Sequence, residues 1–121
     1  EQVERLFTSV QALDPGIGCA CHLHDTYGCG LANAYAALRA GATFFESAFA
    51  GLGGCPFTAV TGGNVCTEDF VHMLQRMGRR TDIKLDVLME LARDAARFFG
   101  RDMAGRLWKT GPVPTIVRQG T

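Results

Sequence analysis

Ile17-Gly18-Cys19-Ala20-Cys21-His22-Leu23-His24-Asp25 is a short stretch with no acidic or basic side chain other than its two histidines before the final aspartate. Such a run reads as a strand buried in a parallel sheet. Asp14-Pro15-Gly16 precedes it and ends a helix, because Pro cannot continue one and Gly permits the turn. That helix is legible in Val3, Leu6, Val10 and Leu13, whose steps of three and four residues define one amphipathic face. After the strand, Gly28 to Gly30 reads as a turn. Leu31, Tyr35 and Leu38 then recur at helical spacing, so Leu31 to Ala40 is predicted to be a helix, with Gly41 as its C-cap.

Ala42 to Phe49 is the next predicted strand, followed by a loop dense in glycine: Gly51-Leu52-Gly53-Gly54-Cys55-Pro56, then Gly62-Gly63-Asn64. Val65-Cys66-Thr67 begins either a third strand or a helix. Thr67 is the expected N-cap, with Glu68 and Asp69 complementing the helix dipole. Phe70, Leu74 and Met77 share a face and Gly78 stops that helix. A last helix is predicted over Leu85 to Phe99, with Leu85, Leu88, Ala92, Ala95 and Phe99 as its apolar stripe, and Gly111-Pro112-Val113-Pro114 reads as irregular tail. Strands alternating with helices predict an α/β fold with a parallel sheet. Two strands do not close a sheet, so the expectation is part of a larger α/β architecture.

The composition agrees. At 121 residues the chain is no longer than one domain, and 47% hydrophobic against 20% charged residues can bury a core, which excludes intrinsic disorder. Twelve Lys plus Arg balance twelve Asp plus Glu, which argues against a strongly basic nucleic-acid binder. The most apolar stretch, Ala40 to Val60, contains Glu46 and is studded with glycine, unlike a membrane span. Glu1-Gln2-Val3-Glu4-Arg5 does not resemble a secretion signal, and five cysteines are an odd number, so reduced thiols in a cytosolic compartment are expected. A first residue that is not Met is expected of a processed start or of a piece of a longer chain.

Side chains alternate along a strand, so His22 and His24 point one way and Cys19, Cys21 and Leu23 the other. Two imidazoles at the carboxyl end of a parallel strand can hold one metal ion, and that end is where α/β folds put their sites. The competing readings are two unrelated histidines, or a zinc site using Cys19, Cys21 and a histidine. Alternation opposes the zinc site, because it puts the sulfurs and the imidazoles on opposite faces; the two thiols are expected to pack under a helix. Asp25 is open between ligand, partner of a histidine and cap of the following turn. Gly51, Gly53 and Gly54 suit a mobile lid, and Cys55 at its tip could move a proton over a site. No Gly-Lys-Ser/Thr follows, so the loop is not a P-loop. The Asn64 amide oxygen could complete an oxygen-rich metal sphere, His72 is expected to be solvated on its helix, and Trp108 to pack.

His22-Leu23-His24-Asp25-Thr26-Tyr27-Gly28, Gly30-Leu31-Ala32-Asn33, Ala50-Gly51-Leu52-Gly53-Gly54-Cys55-Pro56-Phe57, Gly63-Asn64-Val65 and Thr67-Glu68-Asp69 together resemble one family in one order: the hydroxymethylglutaryl-CoA lyases, among the metal-dependent lyases and synthases on TIM barrels. The resemblance covers Glu1 to about Arg101. It implies that residues 1–101 are the last βα units of a (β/α)8 barrel and residues 102–121 a C-terminal tail. It implies that His22, His24 and Asn64 bind a divalent metal, Mg2+ or Mn2+, that Cys55 is catalytic in proton transfer, and that Gly51, Gly53 and Gly54 belong to the substrate loop. The implied reaction is cleavage of 3-hydroxy-3-methylglutaryl-CoA to acetoacetate and acetyl-CoA. The implied partners are an acyl-CoA substrate and, in the full-length protein, further copies in a homo-oligomer, with no nucleic acid and no membrane. The implied location is cytoplasmic, or the mitochondrial matrix in a eukaryote.

Departures from the family pattern are local or upstream. Ala48-Phe49-Ala50-Gly51 stands where the family has Ser-Val-Ala-Gly, and Phe57 where it has Tyr. The family's Arg-Asp pair of the first barrel strand would lie upstream of Glu1, so this chain alone is expected to be a poor catalyst. Two alternatives follow: a lyase for a related 3-hydroxyacyl-CoA, and a catalytically incompetent fragment acting only as an association surface.

Overall fold

A computed structural model describes residues 1–54 and 62–114. Its centre is a pair of parallel strands, β1 (Ala20–His22) and β2 (Phe44–Glu46), in the register Ala20↔Phe44, Cys21↔Phe45 and His22↔Glu46. Between them in sequence lies helix α2 (Gly30–Arg39), so the three elements form a βαβ unit. Both strands are shorter than the predicted spans Ile17 to His24 and Ala42 to Phe49. Their carboxyl ends leave the β1–β2 ladder to bond a third segment: His24 forms an antiparallel bridge with Asn64, and Ala48 a parallel bridge with Cys66. Asp25 N–H donates to Gly63 O at 3.0 Å and Val65 N–H to Leu23 O at 3.1 Å, while Ala48 N–H donates to Val65 O at 3.1 Å. Residues 63–66 therefore tie the two strand ends together. Asn64 and Cys66 are the bridge residues, and helix α3 (Thr67–Arg76) starts directly after Cys66.

Only glycine permits this approach at residue 63, because a Cβ there would collide with the carbonyl oxygen of Gly51.

Helix α1 (Gln2–Leu13) lies where the periodicity puts it, but docks through a different face. Val3 and Phe7 pack on Cys21, Ala37 and Ala42, whereas Leu6 is 62% and Leu13 86% exposed. The small buried residues Ala34 and Ala37 let α2 sit close on the sheet, and Cys19 and Cys21 are buried thiols as expected. The main core joins α2, α3 and the sheet: Ala34, Val65, Phe70 and Leu74 are buried, with the Phe45 ring tilted against Phe70 at a centroid distance of 5.2 Å.

Thr67 is not the N-cap of α3. That position is Cys66, and the Thr67 hydroxyl pairs with Ser47 at 2.9 Å. Gly78, at φ +72°, stops the helix as expected, and Met77 is exposed rather than buried. Helix α4 (Leu85–Phe99) has the predicted bounds and ends on Gly100 in the left-handed region. Its buried stripe is Met89, Ala92 and Ala95, while Phe99 is partly exposed and Phe98 almost fully so.

The segment read as tail contains a short helix, α5 (Leu107–Thr110), with Met103 and Leu107 buried and Trp108 packed against the Ala50, Ala92 and Ala95 cluster. Its start is capped from a distance: the Asp69 carboxylate accepts from Arg106 N–H at 2.9 Å and from Leu107 N–H at 2.8 Å. No helix of the described residues is long and apolar enough to cross a membrane.

Candidate functional site

The sheet has two faces of opposite character. Cys21 and Phe45 face the helices; Ala20, His22, Phe44 and Glu46 face away and are exposed. His22 and His24 share this open face, their ring centroids 5.3 Å apart in an edge-to-face arrangement. His22 Nδ1 lies 3.0 Å from Glu46 Oε2, directly across the strand register. A metal-ligand reading of Asp25 gains nothing here, because its Oδ1 accepts from Gly30 N–H and caps α2.

His24 and Asn64 are brought side by side by their backbone bridge. Asn64 Nδ2 donates to Leu52 O at 2.8 Å, which orients the amide. Asn64 Oδ1 and His24 Nδ1 are both buried and have no hydrogen-bond partner among the described residues. Buried polar atoms in folded proteins are nearly always paired, so two orphans in adjacent positions ask for a ligand. An imidazole and an amide oxygen are donors that a divalent cation accepts. Among the described residues no group of three or more His, Cys, Asp or Glu side chains is placed to hold a metal. The zinc site with Cys19 and Cys21 therefore has no support, and the candidate donors are His22, His24 and Asn64.

The glycine loop is anchored where it leaves β2. Ala50 is fully buried at φ +58°, a conformation costly for any residue with a Cβ. Its N–H donates to Glu68 Oε2 at 2.9 Å. Glu68 is fully buried, its Oε1 has no partner among the described residues, and burial is the main cause that pushes its carboxyl above the ordinary range. The sequence reading gave Glu68 only a helix-dipole role, because nothing local distinguishes a first-turn glutamate that reaches back 18 residues.

Gly51 and Gly53, both at positive φ, touch the site directly. A Cβ on Gly51 would come within 2.5 Å of Cys66 Sγ, and one on Gly53 within 2.6 Å of Asn64 Nδ2. Gly54 is exposed. Cys55 and Phe57 lie outside the described residues. The Cys66 thiol, beside this loop root, is pushed up to about 12 by burial and by the neighbouring carboxylates of Glu68, Asp69 and Asp25, so it is no nucleophile. His72 is half-buried rather than solvated, with Val113 N–H 3.5 Å from its Nε2.

The family model described as HMGL-like matches residues 1–95. The chain belongs to the HMGL-like family. Its α/β fold is part of the (β/α)8 barrel of that family. The HMGL-like chain is 39% identical over 105 residues to hydroxymethylglutaryl-CoA lyase YngG of Bacillus subtilis (strain 168), covering 87% of this chain and 35% of that relative. It is 36% identical over 117 residues to (R)-citramalyl-CoA lyase of Chloroflexus aurantiacus, covering 96% of this chain and 37% of the relative. Its structure is similar to that of an HMG-CoA lyase from Acenitobacter baumannii in complex with coenzyme A and 3-methylmalate. The TM-score is 0.83 and the identity 40%, over 94% of this chain and 39% of that one. The HMGL-like chain thus spans a little over a third of the length of these relatives.

Proposed function

We propose that this chain carries the metal-site histidines and the catalytic cysteine loop of a metal-dependent carbon–carbon lyase. Its substrate is 3-hydroxy-3-methylglutaryl-CoA and its products are acetoacetate and acetyl-CoA. The observation that supports it most is the pair of buried atoms without a partner among the described residues, His24 Nδ1 and Asn64 Oδ1, at the root of the glycine loop.

His22, His24 and Asn64 would hold Mg2+ or Mn2+. When bound, such an ion supplies a Lewis acid that polarises the substrate's oxygens. The chain's own residues do the rest. Asn64 couples the site to the loop through Leu52 O, and Glu68 holds the loop's first turn through Ala50. Gly51 to Gly54 allow closure over the substrate, which excludes water. Before closure the substrate hydroxyl gives its proton to water; its electron pair then forms the ketone of acetoacetate as the C–C bonding pair passes to the departing acetyl-CoA carbon. Cys55 Sγ is the donor of the proton that this carbon takes up.

A direct test is Mn2+ binding to the chain, read by electron paramagnetic resonance. Because losing even an outer-shell partner of a ligand lowers affinity about 10–100-fold, His24→Ala, which removes a ligand, is expected to lose at least ~100-fold. Unchanged binding by His24→Ala would overturn the reading. A lyase for a related 3-hydroxyacyl-CoA has specific support in the citramalyl-CoA lyase relative, which matches nearly the whole chain. Relative cleavage rates of the two classes of thioester by the full-length protein separate these substrates. A chain that serves only as an association surface, which exposed Phe44 and Phe98 would suit, binds no Mn2+.

A further inference from the structure

His22 and His24 are oriented by different means. His24 is fixed by its backbone bridge to Asn64, and its Nδ1 has no partner among the described residues. His22 is held by a side chain. The parallel register sets Glu46 directly across from it, and Glu46 Oε2 lies 3.0 Å from His22 Nδ1. An ionised carboxylate can only accept a hydrogen bond, so this contact requires the proton on Nδ1. The lone pair of His22 is then on Nε2.

We infer that Glu46 is a positioning residue, which locks His22 in the Nδ1–H tautomer and so presents Nε2 as a donor to the divalent cation. A carboxylate behind a ligating histidine fixes tautomer and ring orientation and raises the ligand's basicity. Glu46 acts through His22 and not as a third ligand, since it forms no metal-holding group with the two histidines. The pair is half or more exposed on both sides, with side chains 51% and 70% accessible, so its attraction adds little to folding. Removing Glu46 should therefore leave the fold intact and change the histidine alone. An unconstrained neutral histidine side chain prefers the Nε2–H form, in which Nε2 has no lone pair to give.

The inference rests on the metal-site reading, and the test separates the two. Chain labelled with 15N-histidine is followed by long-range 1H–15N correlation at pH 8, with His24→Ala and His72→Ala spectra assigning the rings, and Mn2+ is titrated in parallel. His22 is expected as Nδ1–H in the wild type and predominantly as Nε2–H in Glu46→Ala, with Mn2+ affinity lowered about 10–100-fold. Glu46→Gln, whose amide oxygen still accepts from Nδ1, is expected to keep part of both. A Glu46→Ala protein with His22 still in the Nδ1–H form, or with unchanged Mn2+ affinity, overturns the inference. A wild type that shows the Nδ1–H form but binds no Mn2+ overturns the metal reading, and leaves the hold of Glu46 on His22 standing.

Discussion

The two faces of the β1–β2 sheet are made by alternate residues of the same short strands, yet they obey different rules. On the helix side, Cys21 and Phe45 pack in apolar clusters with Ala37, Ala42 and Phe70. On the open side, His22 and Glu46 are solvated, while at the strand ends His24 and Asn64 each bury a polar atom without a hydrogen-bond partner among the described residues. The first arrangement lowers the free energy of the fold. The second raises it, by about 1–3 kcal/mol for each buried unsatisfied polar group. Core packing and the candidate site thus fall on alternate residues of the strands, and a substitution should report on one or the other according to its parity.

The sharpest break between the faces is expected from Phe70→Ala. Phe70 is 5% exposed and central to the main core, so truncation should destabilise by about 3–5 kcal/mol, read by urea unfolding. His24→Ala on the other face should leave the urea midpoint unchanged or slightly raised, because it deletes an unsatisfied buried nitrogen, while Mn2+ binding is lost. Equal destabilisation by the two variants would dissolve the distinction.

Glu68 tests the boundary between the faces. Its carboxyl is raised by burial, so the folded state favours the protonated form. For a group raised on folding, the contribution to stability is complete below its unfolded pKa and is lost as pH rises through its folded one. Wild-type stability should therefore fall as pH climbs above the ordinary carboxylate range, and Glu68→Gln should flatten that slope. An identical pH profile for the two proteins would mean that Glu68 is ionised and satisfied in the fold.

Glu68 also marks the limit of what could be read from sequence. Periodicity located α1, α2, α3 and α4, and alternation put the two histidines on one face opposite the thiols, because both signals are local and repeat over several residues. The motif run from His22 to Asp69 named the family. The long-range hydrogen bonds were not legible: Glu68 to Ala50, Asp69 to the start of α5, and Glu46 to His22. Each joins residues 18 or more apart through one side chain, and none leaves a pattern in the intervening sequence. The strand ends were misjudged for a related reason. The predicted spans Ile17 to His24 and Ala42 to Phe49 carry no local sign of residues 63–66, which bond the carboxyl ends of β1 and β2.

The smallest expected effect is the one where pattern and packing disagree most. The spacing of Val3, Leu6, Val10 and Leu13 makes Leu13 a core residue, and removing a core leucine side chain typically destabilises by about 2–5 kcal/mol. In the structure α1 meets the sheet through Val3 and Phe7, its Gln11 side chain donates to Gly41 O, and Leu13 is 86% exposed. A side chain already in water has little burial to lose, so Leu13→Ala should change stability by no more than ~0.5 kcal/mol. Phe7→Ala, half-buried against Cys21 and Ala42, should destabilise by roughly 2 kcal/mol, below the value for a fully buried aromatic. The ratio of the two is the informative quantity. If Leu13→Ala proved the more damaging, the helix would be docked on its apolar stripe by rotation about its own axis. Residues on the Phe7 side would then face solvent in place of Cys21 and Ala42.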